Sequence, residues 1–80
     1  MTLEQKIEKL DKYCKGSLAF THYTVGWDIH SYKDKTLFKV KGKLYKEKRG
    51  YLSAKTFKGI VDLAYKEMLK DRRWKKWEKI

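Results

Sequence analysis

Few side chains in the sequence have the types and spacing that catalysis requires. The closest to a catalytic cluster is Asp28 with His30, two residues apart on a predicted strand, beside Lys39 on the next strand. These groups could transfer protons, but a cross-strand Asp–Lys ion pair next to an exposed histidine is the simpler interpretation. His22 and His30 are eight residues apart, about 26 Å along an extended strand, so they cannot share a metal ion unless the strand folds back.

Other signatures of catalysis are missing. The sequence contains no glycine-rich phosphate loop, no Gly-x-Ser-x-Gly and no His-Glu-x-x-His. The single cysteine, Cys14, ends an apolar helical stripe, which predicts a small buried thiol. One cysteine cannot form an intrachain disulfide, and the N-terminus has no signal-peptide pattern, so we expect a cytoplasmic protein with no membrane span. We also expect no enzyme activity, no metal and no cofactor.

Positive charge is the most informative feature of the sequence. The 80 residues include 21 Lys and Arg against 10 Asp and Glu, a net charge of +11. Residues 1–32 carry no net charge, whereas residues 33–58 carry +8 and residues 70–80 carry +4. Segregated positive charge concentrates polyanions near a protein. The sequence therefore predicts a polyanion as partner, with nucleic acid first, and the alternative is a charged surface that serves solubility.

Two groups of basic residues lie in the middle of the chain. Lys55 and Lys58 start the predicted main helix, where the helix dipole disfavours lysine and a bound phosphate would offset the conflict. The other group projects from a predicted strand and the turn after it, and its members are Lys39, Lys41, Lys43 and Arg49. Both groups are predicted to contact the partner.

The tail, residues 71–80, adds basic and aromatic candidates. If the main helix continues through the tail, its two tryptophans point away from the apolar stripe, where bases, a membrane surface or a protein groove could cover them. The alternative is a helix break near Asp71 and a tail that folds back to bury both indoles. The candidate contact residues of the tail are Arg72, Arg73, Trp74, Lys76 and Trp77.

Periodicity predicts a helix near each end of the chain. Residues 2–15 place apolar side chains at helical spacing, with Thr2 in a capping box and Gly16 as a left-handed stop. Residues 53–70 form a continuous apolar stripe, with Ser53 as the predicted N-cap.

The segment between the helices alternates with period two, as strands do. Residues 18–32 predict one strand, and pairing with the strand that follows places Ile29 opposite Phe38 and Trp27 opposite Val40. Beyond this hairpin, either the second strand continues or a third strand follows a tight turn. The predicted architecture is a single α+β domain over residues 1–80. The domain consists of an N-terminal helix, then an antiparallel hairpin or three-stranded meander, and then a long C-terminal helix. This last helix packs on one face of the sheet.

The order α-β-β-β-α resembles that of double-stranded-RNA-binding domains. The resemblance implies that Lys55 and Lys58 contact phosphates across a groove. The sequence departs from that family because it lacks the paired lysines, the alanine-rich helix face and the glycine-rich lead-in. The resemblance is carried by Phe38, Val40, Gly42, Gly50, Ser53, Lys55 and Lys58.

In size and in its lysine-rich, tryptophan-ended sequence, the chain also resembles small accessory proteins of bacteriophages. Many such proteins bind and inhibit a host protein. This resemblance implies the alternative partner, an acidic surface on another protein, which the same basic and aromatic residues would contact.

Overall fold

The computed structural model describes residues 1–34, 37–38 and 51–78. The described elements follow in the order α1 (Leu3–Tyr13), β1 (Leu18–Tyr23), β2 (Gly26–Ser31), β3 (Tyr51–Ala54), α2 (Phe57–Lys70) and α3 (Arg72–Glu78). The three described strands form an antiparallel sheet in the order β1-β2-β3, and α2 packs on β2, β3 and α1. The predicted α+β fold, with helices on one face of an antiparallel sheet, is confirmed.

The first helix begins as its sequence predicts, and it ends at Tyr13, two residues before the predicted end. The Thr2 hydroxyl accepts a hydrogen bond from the Gln5 N–H at 3.2 Å, and the Gln5 side chain accepts one from the Thr2 N–H at 2.9 Å. This reciprocal capping box satisfies two N–H groups at the helix start. Gly16 has a φ of 79°, the left-handed conformation that ends helices. Cys14, just before it, is buried in the core.

The segment predicted as one strand, residues 18–32, is two strands. The chain turns back at Thr24 and Val25, so that Tyr23 lies opposite Gly26 in a two-residue hairpin. In β1 the even-numbered residues face α2, whereas in β2 the odd-numbered residues do. The set of residues that faces the core therefore changes at this turn. A single strand keeps one phase throughout, which is why the prediction of one strand was wrong.

The predicted partner of Ile29 was also wrong. β2 is the central strand, and Ile29 lies opposite Phe20 on one side and Leu52 on the other. With both edges of β2 occupied, Ile29 cannot pair with Phe38. Phe38 instead lies in a turn with a φ of 58°, and its ring is 3% exposed.

Trp27 likewise has a pairing partner in the strand on each side. It lies opposite His22 in β1 and Ala54 in β3, so the predicted pairing with Val40 is wrong. Val40 itself, and the strands predicted between residues 39 and 50, lie outside the described residues.

The main helix starts later than predicted. Thr56, not Ser53, is its N-cap, and the Thr56 hydroxyl accepts a hydrogen bond from the Gly59 N–H at 3.0 Å. Ser53 pairs with Asp28 in the sheet instead. The helix ends at Asp71, and within the described residues no helix has both the length and the apolar composition needed to cross a membrane.

The core lies between the sheet and the helices. The predicted burial of the α2 stripe is confirmed for Ile60, Val61, Ala64 and Met68, while Trp27 and Phe57 are partly buried against it. Two serines are also fully enclosed: Ser17 follows α1, and Ser31 ends β2. Their hydroxyl oxygens are 2.5 Å apart, which ties the end of α1 to the far end of the sheet.

Candidate nucleic-acid interface

The sheet has two faces with different roles. One face packs on α2, and β2 places Trp27 and Ile29 there. The other face, here called the outer face, carries the side chains that alternate with these along each strand. On β1 and β2 these include Tyr23, Asp28 and His30. The outer face therefore presents the polar side chains of Asp28 and His30 beside Tyr23, whereas His22 lies on the other face.

The two histidines do not lie together. His22 is in β1 on the face that carries Trp27, and its ring stacks on the Trp27 indole with 4.1 Å between centroids and 12° between planes. His30 is in β2 on the outer face, opposite Ala19. The chain does fold back between the two histidines, but it places them on opposite faces of the sheet.

A cleft of about 320 Å³ opens at the β1–β2 turn. Its position is fixed by Gly26, where an added Cβ would lie 2.5 Å from the Ala54 carbonyl oxygen. This absence of a side chain lets the start of β2 approach the end of β3 closely. The described residues that line the cleft are Tyr23, Val25, Gly26, Trp27, Asp28, Ser53, Ala54 and Lys55.

Asp28 is held in place from the neighbouring strand. The Ser53 hydroxyl donates a hydrogen bond of 2.6 Å to Asp28 Oδ1, directly across the β2–β3 ladder. An ionised carboxylate has lone pairs for about four hydrogen bonds, so this contact orients Asp28, which lines the cleft, and leaves the carboxylate able to accept further hydrogen bonds. The catalytic interpretation of Asp28 with His30 gains no further partner among the described residues.

Of the two lysines predicted at the start of the main helix, Lys55 lies at this cleft. Lys55 lines the cleft, one residue before the N-cap of α2, and Lys58 lies in the first turn of the helix. Both side chains are exposed, and the first turn contains no acid. Positive charge is thus added where the helix dipole is already positive, a local conflict that an anion would relieve.

The helix breaks at Asp71, as the second of the two predicted alternatives states; of the two indoles that this alternative buries, only that of Trp74 lies within the described part of the structure. Asp71 ends α2 and starts α3, where its Oδ1 accepts a hydrogen bond from the Arg73 N–H at 2.9 Å. Trp74 is only 4% exposed, and its ring lies edge-on to Tyr13 at 6.0 Å. The indole therefore stabilises the fold-back from inside.

The basic residues of the tail have unequal surroundings. Arg73 forms an ion pair with Asp71 at 2.9 Å and lies 3.7 Å from Asp34, so much of its charge is balanced within the protein. Arg72 and Lys75 are exposed. Lys76 and Trp77 belong to α3, but their side chains lie outside the described part of the structure, and the binding roles predicted for the tail stay predictions.

The structure does not bring the two described basic groups together. Lys58 and Arg72 lie at opposite ends of α2, whose 14 residues span about 21 Å. The third predicted group, Lys39, Lys41, Lys43 and Arg49, lies outside the described residues.

Sequence reasoning found Lys55, which lines the cleft, but missed the other residues that shape it. Tyr23, Asp28 and Ser53 share the outer face only because the chain reverses at residues 24 and 25. A glycine inside a strand pattern is the signal that could have revealed the turn, and Gly26 occupies that position.

Comparisons of the chain with protein-family models, with curated proteins and with solved structures find no match.

Proposed function

We propose that this protein is a non-catalytic nucleic-acid-binding protein that contacts backbone phosphates. One observation carries the proposal. At the β1–β2 turn, an exposed aromatic side chain, Tyr23, lines the same cleft as Lys55, and Lys58 follows three residues later in the first turn of α2. Rings and cations side by side are the combination with which proteins bind nucleic-acid strands, since the ring stacks on bases and the cations neutralise phosphates.

The charge of the whole chain supports the same partner. A net charge of +11 on 80 residues gives a strong positive field, and such a field speeds the approach of polyanions. Lys55 and Lys58 belong to the +8 block, and Arg72 and Lys75 belong to the +4 block. A separation of about 21 Å between the two groups matches the rise of about six base pairs at 3.4 Å each, so one nucleic acid can reach both.

Binding titrations at two salt concentrations test this proposal. We expect the protein to bind fluorescein-labelled single-stranded and duplex oligonucleotides of DNA and RNA, with affinity that falls steeply between 50 and 200 mM salt. Each neutralised phosphate adds just under one unit to the log–log slope on duplex DNA. The Lys55→Gln, Lys58→Gln double variant should therefore bind every sequence more weakly and lower that slope by nearly two units.

The matched control removes two charges elsewhere. Lys33 and Lys66 are both exposed; Lys33 follows the far end of β2 and Lys66 lies two turns beyond Lys58 on α2. The Lys33→Gln, Lys66→Gln double variant should change the slope much less. Equal loss in both double variants would show a diffuse charge effect with no interface at the cleft. Failure of the wild-type protein to bind at micromolar concentration would rule out the proposal.

A second candidate function is binding to an acidic surface of another protein. The observation that favours it is the β1–β2 turn itself, where Val25 is 86% exposed and Tyr23 is 51% exposed. Apolar and aromatic side chains at a protruding turn are typical anchors of protein interfaces, with lysines at the rim. A pull-down with nuclease treatment separates the two functions, because a protein partner would survive the nuclease and would be lost in a Tyr23→Ser, Val25→Ser variant.

A further inference from the structure

We infer that the cleft at the β1–β2 turn selects single-stranded nucleic acid and binds an unpaired guanine, with Asp28 reading the base edge. This inference rests on the proposed function and names the ligand of the same site. It follows from the juxtaposition of three groups with different chemistry around one cleft: the exposed Tyr23 ring, the oriented Asp28 carboxylate and the Lys55 side chain.

The Tyr23 ring favours a single strand. It lies at the end of β1, half exposed, where the hairpin turns and the sheet ends. In a duplex, bases are stacked on one another and their faces are covered, whereas the bases of a single strand can stack on an aromatic side chain. Tyr23 therefore offers its surface to a base that is not already paired.

Asp28 is near enough to read the base that Tyr23 holds. Tyr23 lies opposite Gly26, and Asp28 is two residues further along β2 on the same face. This is the diagonal relationship of an antiparallel pair, in which Cβ atoms are about 7–8 Å apart. A base stacked on the ring would place its edge over the strand that carries the carboxylate.

A carboxylate discriminates among bases by the donors on their edges. It can only accept hydrogen bonds. The Watson–Crick edge of guanine presents two adjacent donors, N1–H and the N2 amino group, and one carboxylate can accept both. Adenine and cytosine each place one amino donor beside a ring nitrogen that repels the carboxylate, and thymine or uracil places one N–H between two carbonyl oxygens. Guanine is therefore the base that fits Asp28 best.

The neighbouring lysine determines how a nucleotide is oriented in the cleft. Asp28 repels phosphate, and Lys55, which follows the end of β3, attracts it. A nucleotide in the cleft would accordingly place its base toward Asp28 and its phosphate toward Lys55. The Ser53 hydrogen bond to Asp28 Oδ1 keeps the carboxylate in one orientation before the base arrives.

The test uses a strand of ten thymidines and four variants of it, in which one central base is replaced by guanine, adenine, cytosine or inosine. The same five strands are also tested as RNA, with uridine in place of thymidine. Binding is measured by fluorescence anisotropy at one salt concentration. We expect the guanine strand to bind about five-fold tighter than oligothymidine or more, because hydrogen bonds to a charged group are strong. Inosine, which lacks only the N2 amino group, should lose most of this gain.

Two variants separate base reading from general electrostatics. Asp28→Asn should abolish the preference for guanine while oligothymidine binds as well as before or better, since a negative charge is removed. Asp11→Asn, on an exposed position of α1, removes the same charge and should keep the preference. If Asp28→Asn fails to fold, the inosine strand tests the same contact in the wild-type protein.

The outcomes distinguish this inference from the proposed function. Binding of all strands with equal affinity would overturn guanine selection and leave the proposed function standing. A guanine preference that persists in Asp28→Asn, or that inosine retains in full, would also overturn it. Tighter binding to duplex than to every single strand would contradict the role of Tyr23, and no binding to any strand would overturn both proposals.

Discussion

The phenol of Tyr13 donates a hydrogen bond of 2.5 Å to Asp71 Oδ2, which joins the last residue of α1 to the junction between α2 and α3. The same carboxylate accepts hydrogen bonds from the backbone and the guanidinium of Arg73. Around it, the Tyr13 ring packs edge-on against Phe38 and Trp74, with centroids 5.6 and 6.0 Å away. Asp71 thus fixes the chain reversal that buries Trp74.

Removing the phenol hydroxyl should weaken this junction. We expect Tyr13→Phe to lower the free energy of unfolding by about 1–3 kcal/mol, because a hydrogen bond to a partly buried carboxylate is lost while the ring stays. Urea unfolding followed by tryptophan fluorescence measures the change. Tyr32→Phe is the matched control, since Tyr32 is 57% exposed, and it should change stability by less than about 0.5 kcal/mol. Equal effects of the two variants would contradict the role of the contact.

The junction should also depend on pH. Burial acts to raise the pKa of Asp71, but hydrogen bonds from Arg73 and Tyr13 outweigh it and leave the pKa below its ordinary value. A carboxyl group whose pKa is lowered by folding stabilises the fold above its unfolded pKa, about 3.9, and this contribution disappears as pH falls through the folded value. The stability gap between wild type and Asp71→Asn should therefore be constant from about pH 6 to pH 8 and shrink below about pH 4. Urea unfolding at pH 7 and pH 3 would measure the gap, and an unchanged gap at pH 3 would contradict the assignment.

The buried serines form a directed chain of hydrogen bonds. Ser17 Oγ donates to the Cys14 carbonyl oxygen, and Ser31 Oγ accepts from the Asp34 N–H at 3.2 Å. The Ser31 hydroxyl proton is therefore the one shared between the two serine oxygens. We expect Ser17→Ala and Ser31→Ala each to cost about 1–3 kcal/mol of stability, because each leaves buried polar groups without a partner.

The two serine substitutions should not be additive. Once one hydroxyl is gone, its partner has already lost the shared hydrogen bond, so the double variant should cost less than the sum of the single variants. A double-mutant cycle by urea denaturation measures this coupling. A coupling energy near zero would show that the two hydroxyls act independently.

The Cys14 thiol should react slowly in the folded protein. Burial first, with smaller contributions from Asp11 and Asp34, raises the pKa of the thiol to about 12. The thiolate is the reactive form, so alkylation by iodoacetamide at pH 8, followed by mass spectrometry, should be far slower than for a small-molecule thiol. Denaturant should restore a normal rate. Rapid alkylation without denaturant would contradict the buried position.

The sequence predicted the parts of the fold that depend on local signals. The capping box at Thr2, the stop at Gly16 and the apolar stripe of α2 all act within a few residues of one another, and all are present. The turn at residues 24 and 25 was missed, because Val25 continues an apolar alternation and is nevertheless 86% exposed. Only pairing between distant segments decides which phase of that alternation faces the core.

The candidate site was predictable to a similar extent. Lys55 and Lys58 could be assigned to the surface at the start of a helix because helix position and charge are local properties. The cleft that Lys55 lines could not be predicted, since Tyr23 in β1 and Ser53 in β3 line it together only through the order β1-β2-β3. The fold-back of Trp74 was one of two predicted alternatives, and the tertiary contact between Tyr13 and Asp71 stabilises it.

The order of the strands has a consequence for how the protein folds. β1 and β2 are joined by two residues, whereas 19 residues with a net charge of +6 separate β2 from β3. In the unfolded chain, bringing the ends of the longer segment together costs about 2 kcal/mol more in entropy, and like charges along that segment resist compaction further. Docking of β3 is therefore the natural slow step of folding, and salt that screens the repulsion should accelerate it. A polyanion would screen it more strongly, so the ligand proposed for the folded protein would also act as a catalyst of its folding.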